Sequence, residues 1–221
     1  MPSAPRKGAE PVKRRAAEIV AAAAKVFARR GYHGASTQDI ADVLGIRQAS
    51  LYYYFESKEA ALEAVCADGV EDYATRARAI LALGTGAADK VARLVLQHLT
   101  PAVERLDFTL TFLRERRFLP KPARMRIRAI EHDYEGLIEK VIREGIASGE
   151  FRADLDARMA TLALLDLGNS AVLWFGREPG ATFERVTRSH IDLLLRAFRR
   201  TAPAPGGTLA AGRRSAAMQD A

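Results

Sequence analysis

One cysteine, Cys66, stands among 221 residues. An internal disulfide is excluded, no second thiol exists for a cysteine-based zinc site, and a reducing, cytoplasmic setting is expected. Histidine is scarce too. His33, His98, His132 and His190 are scattered, no H-E-x-x-H or E-x-x-H pair occurs, and there is no G-x-S-x-G; no metal site, cofactor or catalytic constellation is expected and the chain does not read as an enzyme. The G-T-G-A-A-D run at 84–89 lacks the Lys-Ser/Thr ending of a phosphate loop and reads as a linker. Long apolar runs are missing: the uncharged stretch 167–176 is about half the roughly 20 residues a membrane span needs. The basic start, MPSAPRKGAEPVKRR, is followed by no apolar segment of export-signal type. Alternating β-branched patterns are absent as well, so the fold class is all-α.

What the chain does have is positive charge, +7 overall, and it is local. Residues 1–15 carry five basic and one acidic side chain, residues 105–128 eight basic and two acidic, and the remainder sums to −3. Two such patches suit two negatively charged partners, nucleic acid at one and a ligand at the other.

Glycine and proline punctuate a series of helical periods. The first helix, 12–30, carries Ala16, Ile19, Val20, Ala23, Val26 and Phe27 on one side and stops at Gly31. Ser36-Thr37-Gln38-Asp39 has capping-box spacing for a second helix ending at Gly45. A third spans 47–55, and Ser57 caps a long fourth. Further helices are expected over 88–105 with a kink at Pro101, 108–118, 123–148, 155–175 and 182–200, about nine in all. The Ala/Gly/Pro-rich residues 201–221 read as a disordered tail, and residues 1–12 as a disordered basic arm.

Two short helices joined by a tight glycine turn behind a longer amphipathic one describe a helix-turn-helix unit. Helices this short need the Ile19/Phe27 stripe to pack on. The outer face of the third presents Arg47, Gln48, Ser50, Tyr53 and Tyr54, types that read base edges or hold phosphates. Three consecutive tyrosines 100° apart cannot share one buried face, so at least one is exposed.

The run STQDIADVLGIRQASLYYYFESKEAALEAV, with KVFARRGYHGAS upstream, resembles the DNA-binding signature of the tetracycline-repressor (TetR) family over residues 13–65. The resemblance implies a homodimeric repressor with a DNA-binding head at 13–58 and a helical ligand-binding and dimerisation body at 59–200, bound to a near-palindromic double-stranded operator. It places Gln38, Arg47, Gln48 and Ala49 at base-reading positions, and Thr37, Ser50, Tyr52, Tyr53, Tyr54 and Lys58 at phosphate-facing ones, Tyr52 being the first to reassign to packing. Lys58 lies at the positive end of its helix, a conflict a phosphate would relieve. Arg47 departs from the family, which often has a Ser or Thr there to cap the recognition helix; Ala49 replaces a frequent Gly. A helical assembly protein that binds acidic surfaces without sequence preference is the alternative reading.

In the body, wide apolar faces at 155–175 and 182–200 suit an intersubunit four-helix bundle, with Met159, Leu162, Ala163, Leu194 and Phe198 as interface candidates. Gly168 inside a helical run implies close backbone approach or a nearby ligand, with Asp166 and Asn169 as a buried polar pair beside it. His98, Phe108, Phe112, Tyr134, Asn169 and Trp174 are candidate pocket wall, with Arg116 and Arg117 available for an anionic head group. An apolar wall beside a cationic mouth suits an amphipathic anion such as a fatty acyl-CoA, and REGIASGEFRADLDARMATLAL through Trp174 resembles regulators of lipid or steroid catabolism.

Overall fold

A computed structural model describes residues 9–199; residues 1–8 of the expected arm and the tail at 201–221 lie outside them. The order is α1 (Ala9–Gly34), α2 (Thr37–Leu44), α3 (Gln48–Leu51), α4 (Lys58–Leu81), α5 (Ala87–Leu99), α6 (Pro101–Glu104), α7 (Leu106–Glu115), a 3-10 turn (Arg116–Phe118), α8 (Lys121–Ala147), α9 (Ala157–Trp174) and α10 (Phe183–Phe198). The described residues contain no strand. Counting α5 and α6 as one helix divided before Pro101, whose missing N–H and ring break the ladder there, gives nine among the described residues.

Local chemistry sets the boundaries of the head. α1 begins at Ala9, inside the expected arm, and runs three residues past Gly31, which takes a left-handed φ of +68° and kinks the helix there. Ser36 and Asp39 form the reciprocal capping box of α2, which Gly45 closes in the left-handed conformation (φ +64°). α3 is shorter than the 47–55 expected. Arg47 occupies its N-cap without a side-chain bond, as arginine has no acceptor, and the amides of Tyr54 and Phe55 both return to the Leu51 carbonyl. Tyr54 and Phe55 then turn inward against the head core.

Two apolar cores result. One joins Ile19, Ala23 and Phe27 of α1 to Ile40, Leu51, Leu62 and Val65, and also takes in Leu119, Ala123 and Ile127 from the body. The other lies among α4, α5, α8, α9 and α10, around Val91, Leu94, Ile138, Ile142, Leu164 and Phe151. The head is therefore built partly on residues more than fifty positions beyond it, so a movement of the body reaches it through packed side chains. Gly145 allows the Phe151 ring to close the second core: a Cβ there would lie 2.3 Å from it.

Candidate functional site: a DNA-reading face and a cavity behind it

The face of α2 and α3 that faces outward is rich in hydrogen-bonding and aromatic groups. Gln38, Arg47, Ala49 and Ser50 are exposed, and Tyr53 is 82% exposed. Thr37 holds the two helices together: its hydroxyl accepts a 2.7 Å bond from Gln48 Nε2 and lies 3.4 Å from the Tyr52 hydroxyl. Gln38 Nε2 donates to Asp42 at 2.6 Å. Tyr52 is half exposed, so the tyrosine that packs is Tyr54, half-buried against the head core two residues further on.

Lys58 differs most from its reading. Its ammonium donates to the carbonyls of Tyr32 (2.9 Å) and Ala35 (3.0 Å) and sits 4.3 Å from the centre of the Tyr32 ring. The orphan carbonyls at the end of α1 offset the unfavourable start of α4, so the conflict is already relieved within the chain. Nearby, the Tyr32 hydroxyl donates to Glu59; burial and this bond raise the phenol to about 12, and the same bond holds the Glu59 carboxyl below its ordinary value.

Behind the head lies a cavity of about 230 Å³. Its wall is drawn from α4 (Tyr73), α5 (Gln97, His98), α7 (Phe108, Phe112), α8 (Tyr134) and α9 (Leu165, Asn169). His98 is placed by Gly168, whose missing side chain it fills: a Cβ there would lie 2.2 Å from His98 Cδ2. Burial lowers the imidazole to about 4, against hydrogen bonds to Asn169 and the Leu165 backbone, so the ring is neutral at ordinary pH. The rings of Tyr73, His98 and Tyr134 lie 5.3 to 6.0 Å apart, and burial raises both phenols. Burial likewise pushes the Cys66 thiol up to about 12, which removes its nucleophilicity.

At the other end, Arg105 stacks 3.9 Å from the centre of Phe108 and Arg116 4.6 Å from that of Phe112. These arginines do not form a bare cationic mouth. Arg105 pairs with Asp68, Arg116 with Glu131 (2.9 Å) and Arg128 with Glu135 (3.2 Å). Each pairing leaves some of the five guanidinium donors available.

The cavity thus gathers His98, Phe108, Phe112, Arg116, Tyr134 and Asn169 of the expected set, and excludes two. Arg117 turns the other way, 4.7 Å from the Phe118 ring, because the tight 3-10 turn rotates it away from Arg116. Trp174, at the last turn of α9, stacks on His190 of α10 with ring centres 6.4 Å apart. Asp166 is exposed and not part of a buried pair. Tyr73 and Gln97 went unread; the signal was a glutamine one position from His98 on an otherwise apolar stripe of α5.

The interface candidates divide. Met159 (60%) and Ala163 are exposed, Leu162 lines the cavity, and Leu194 and Phe198 are buried in the subunit's own core, because the apolar stripe of α10 packs on α5 and on Phe151. Leu173, on the same side of α9 as Met159, and Leu193 of α10 are also exposed.

A helix-turn-helix head joined to a helical body with a cavity between its helices defines a DNA-binding regulator. Residues 19–65 match the family described as bacterial regulatory proteins, tetR family, and residues 84–198 the tetracyclin repressor-like C-terminal domain. The chain belongs to the TetR family of transcriptional regulators. It is 27% identical over 186 residues to the HTH-type transcriptional repressor KstR2 of Rhodococcus jostii strain RHA1, covering 82% of this chain and 89% of that one. Its fold matches the TetR family regulator PfmR from Thermus thermophilus (29% identity, TM-score 0.74, 82% and 99% coverage). It also matches the regulator FadR from Bacillus subtilis, solved in complex with stearoyl-CoA (23% identity, TM-score 0.71, 83% and 99% coverage). Among the described residues no helix is long and apolar enough to cross a membrane.

Proposed function

We propose that this regulator is a homodimeric repressor, with its head at 13–58 and its body at 59–200, that leaves a near-palindromic operator when an acyl-CoA or similar amphipathic molecule enters the cavity. The observation that carries this reading is the double duty of α7. Phe108, Phe112 and Arg116 at its end face the cavity, while Thr111 donates to the Ala24 carbonyl (3.1 Å) and Glu115 accepts from the Tyr32 amide (2.8 Å), both on α1. An acyl chain between the cavity walls displaces α7, and α7 carries the head with it. The volume suits the acyl portion and leaves the nucleotide to the donors of Arg105, Arg116 and Arg128. The stearoyl-CoA complex of the FadR relative supports the ligand class. In the dimer, the Met159, Leu173 and Leu193 face meets its copy, setting two α3 segments into successive major grooves.

The test selects operator duplexes from a random pool, then titrates acyl-CoAs of increasing chain length into the complex. Release by acyl-CoAs and not by coenzyme A alone supports the proposal. Release by a cationic amphiphile in their place overturns the ligand class.

A further inference from the structure

Gln97 is buried on α5 and lines the cavity. Its Nε2 donates to the Tyr73 carbonyl at 3.1 Å, which fixes the amide orientation, since the opposite rotamer would set oxygen against oxygen. Its Oε1 has no hydrogen-bond partner. A buried acceptor left unpaired is costly, and few survive in a folded chain without a reason. Among the described residues the other buried side-chain oxygen without a partner, Thr187 Oγ1, does not line the cavity.

The two neighbouring phenols are already committed. The Tyr134 hydroxyl lies 3.3 Å from His98 Nδ1. His98 also hydrogen-bonds Asn169 and the Leu165 backbone; where its ring N–H is used there, Nδ1 accepts and the Tyr134 hydroxyl donates. The Tyr73 hydroxyl faces the His98 carbonyl at 3.5 Å. The ring stays neutral and both phenols stay protonated, so no further donor arises by titration. The polar end of the cavity therefore keeps a buried acceptor open in Gln97 Oε1. This end belongs to the body core, whereas Phe108 and Phe112, stacked under Arg105 and Arg116, pack on the head core.

We propose that the cavity selects an effector whose buried end carries a hydrogen-bond donor: an acyl chain hydroxylated remote from its anionic head group, the hydroxyl donating to Gln97 Oε1. This rests on the acyl-CoA reading above and sharpens it. A plain alkyl chain leaves Oε1 unpaired in a space it has just dried, and a ketone sets oxygen against oxygen.

Calorimetric titration of the full chain with decanoyl-CoA, ω-hydroxydecanoyl-CoA and (ω−1)-oxodecanoyl-CoA decides it. The hydroxy compound is expected to bind at least about tenfold more tightly than either of the others. In Gln97→Met that preference falls to about twofold or less. Equal binding of all three by the wild-type protein overturns this inference alone, as does a hydroxyl preference that survives in Gln97→Met. Binding by none of the three overturns the acyl-CoA reading together with it. The wild-type comparison needs no variant to fold.

Discussion

Glu115, on the body helix α7, accepts a 2.8 Å hydrogen bond from the backbone amide of Tyr32, one residue past the kink of α1 at Gly31. The kink frees that amide from the helical ladder, and a body carboxylate takes it. Gly31 has room for this approach: a Cβ there would meet Glu115 oxygens at 3.7 and 3.8 Å. The head is thus tied to the cavity's wall by a bond that exists only because α1 breaks where it does.

Glu115→Ala is expected to separate the two functions. Acyl-CoA affinity should change by less than about threefold, since Glu115 does not line the cavity, while the factor by which ligand weakens DNA binding falls toward one. Folding stability drops by about 1 to 2 kcal/mol for the orphaned amide. Operator-binding curves at zero and saturating ligand give the coupling directly.

Arg47 and Lys58 should behave differently. Arg47→Ala costs about 1 to 3 kcal/mol of operator binding and relaxes preference at one base position, because the side chain is exposed and caps nothing. Lys58→Met should lower the melting temperature first, as two carbonyls at the end of α1 lose their donor. A panel of single-base operator variants, with thermal melts alongside, separates the two effects.

These two residues also show what sequence reveals and where it stops. Caps are legible because their chemistry is complete within four residues: Ser36 with Asp39, Gly45, and Ser57, whose hydroxyl accepts from Ala60. The lost cap at Arg47 follows from the same local rule. Lys58 looked unpaired because its partners, Tyr32 and Ala35, are more than twenty residues away. Leu194 and Phe198 lie on a recognisable apolar stripe, yet the stripe does not say whether α5 or a second subunit covers it. The cavity was partly readable through Gly168, since a glycine within a helix asks what fills its place. The answer, His98, needed the fold.

His98 makes stability pH-dependent. Its ordinary value near 6.5 is lowered to about 4 in the folded chain by burial. Below pH 6.5 the unfolded chain therefore binds the proton more readily. The contribution is complete above that pH and is lost as pH falls toward 4, by about 1.4 kcal/mol per unit and about 3 kcal/mol in all. Denaturant unfolding of wild type and His98→Gln between pH 7 and 4.5 should show a shallower decline in the variant.

The exposed Met159 (60%) and Leu193 (57%) carry the proposed contact between copies. Replacing both with Glu is expected to yield a monomer with unfolding stability within about 0.5 kcal/mol of wild type when wild type is measured below its dimer dissociation constant, since neither side chain is core. Operator affinity should fall by about a hundredfold or more as paired half-site binding is lost. Sedimentation velocity and operator titration check the two halves.

The central claim is that DNA at the head and ligand in the cavity oppose one another through α7. The most direct measurement is fluorescence anisotropy of a labelled operator duplex held at half saturation, titrated with decanoyl-CoA and its ω-hydroxy counterpart, and repeated with the duplex at saturating ligand. Linkage requires that ligand weaken operator binding and that operator weaken ligand binding by the same factor, about tenfold or more, with Glu115→Ala abolishing both. Acyl-CoA that binds with full affinity and leaves the operator complex unchanged would contradict the account.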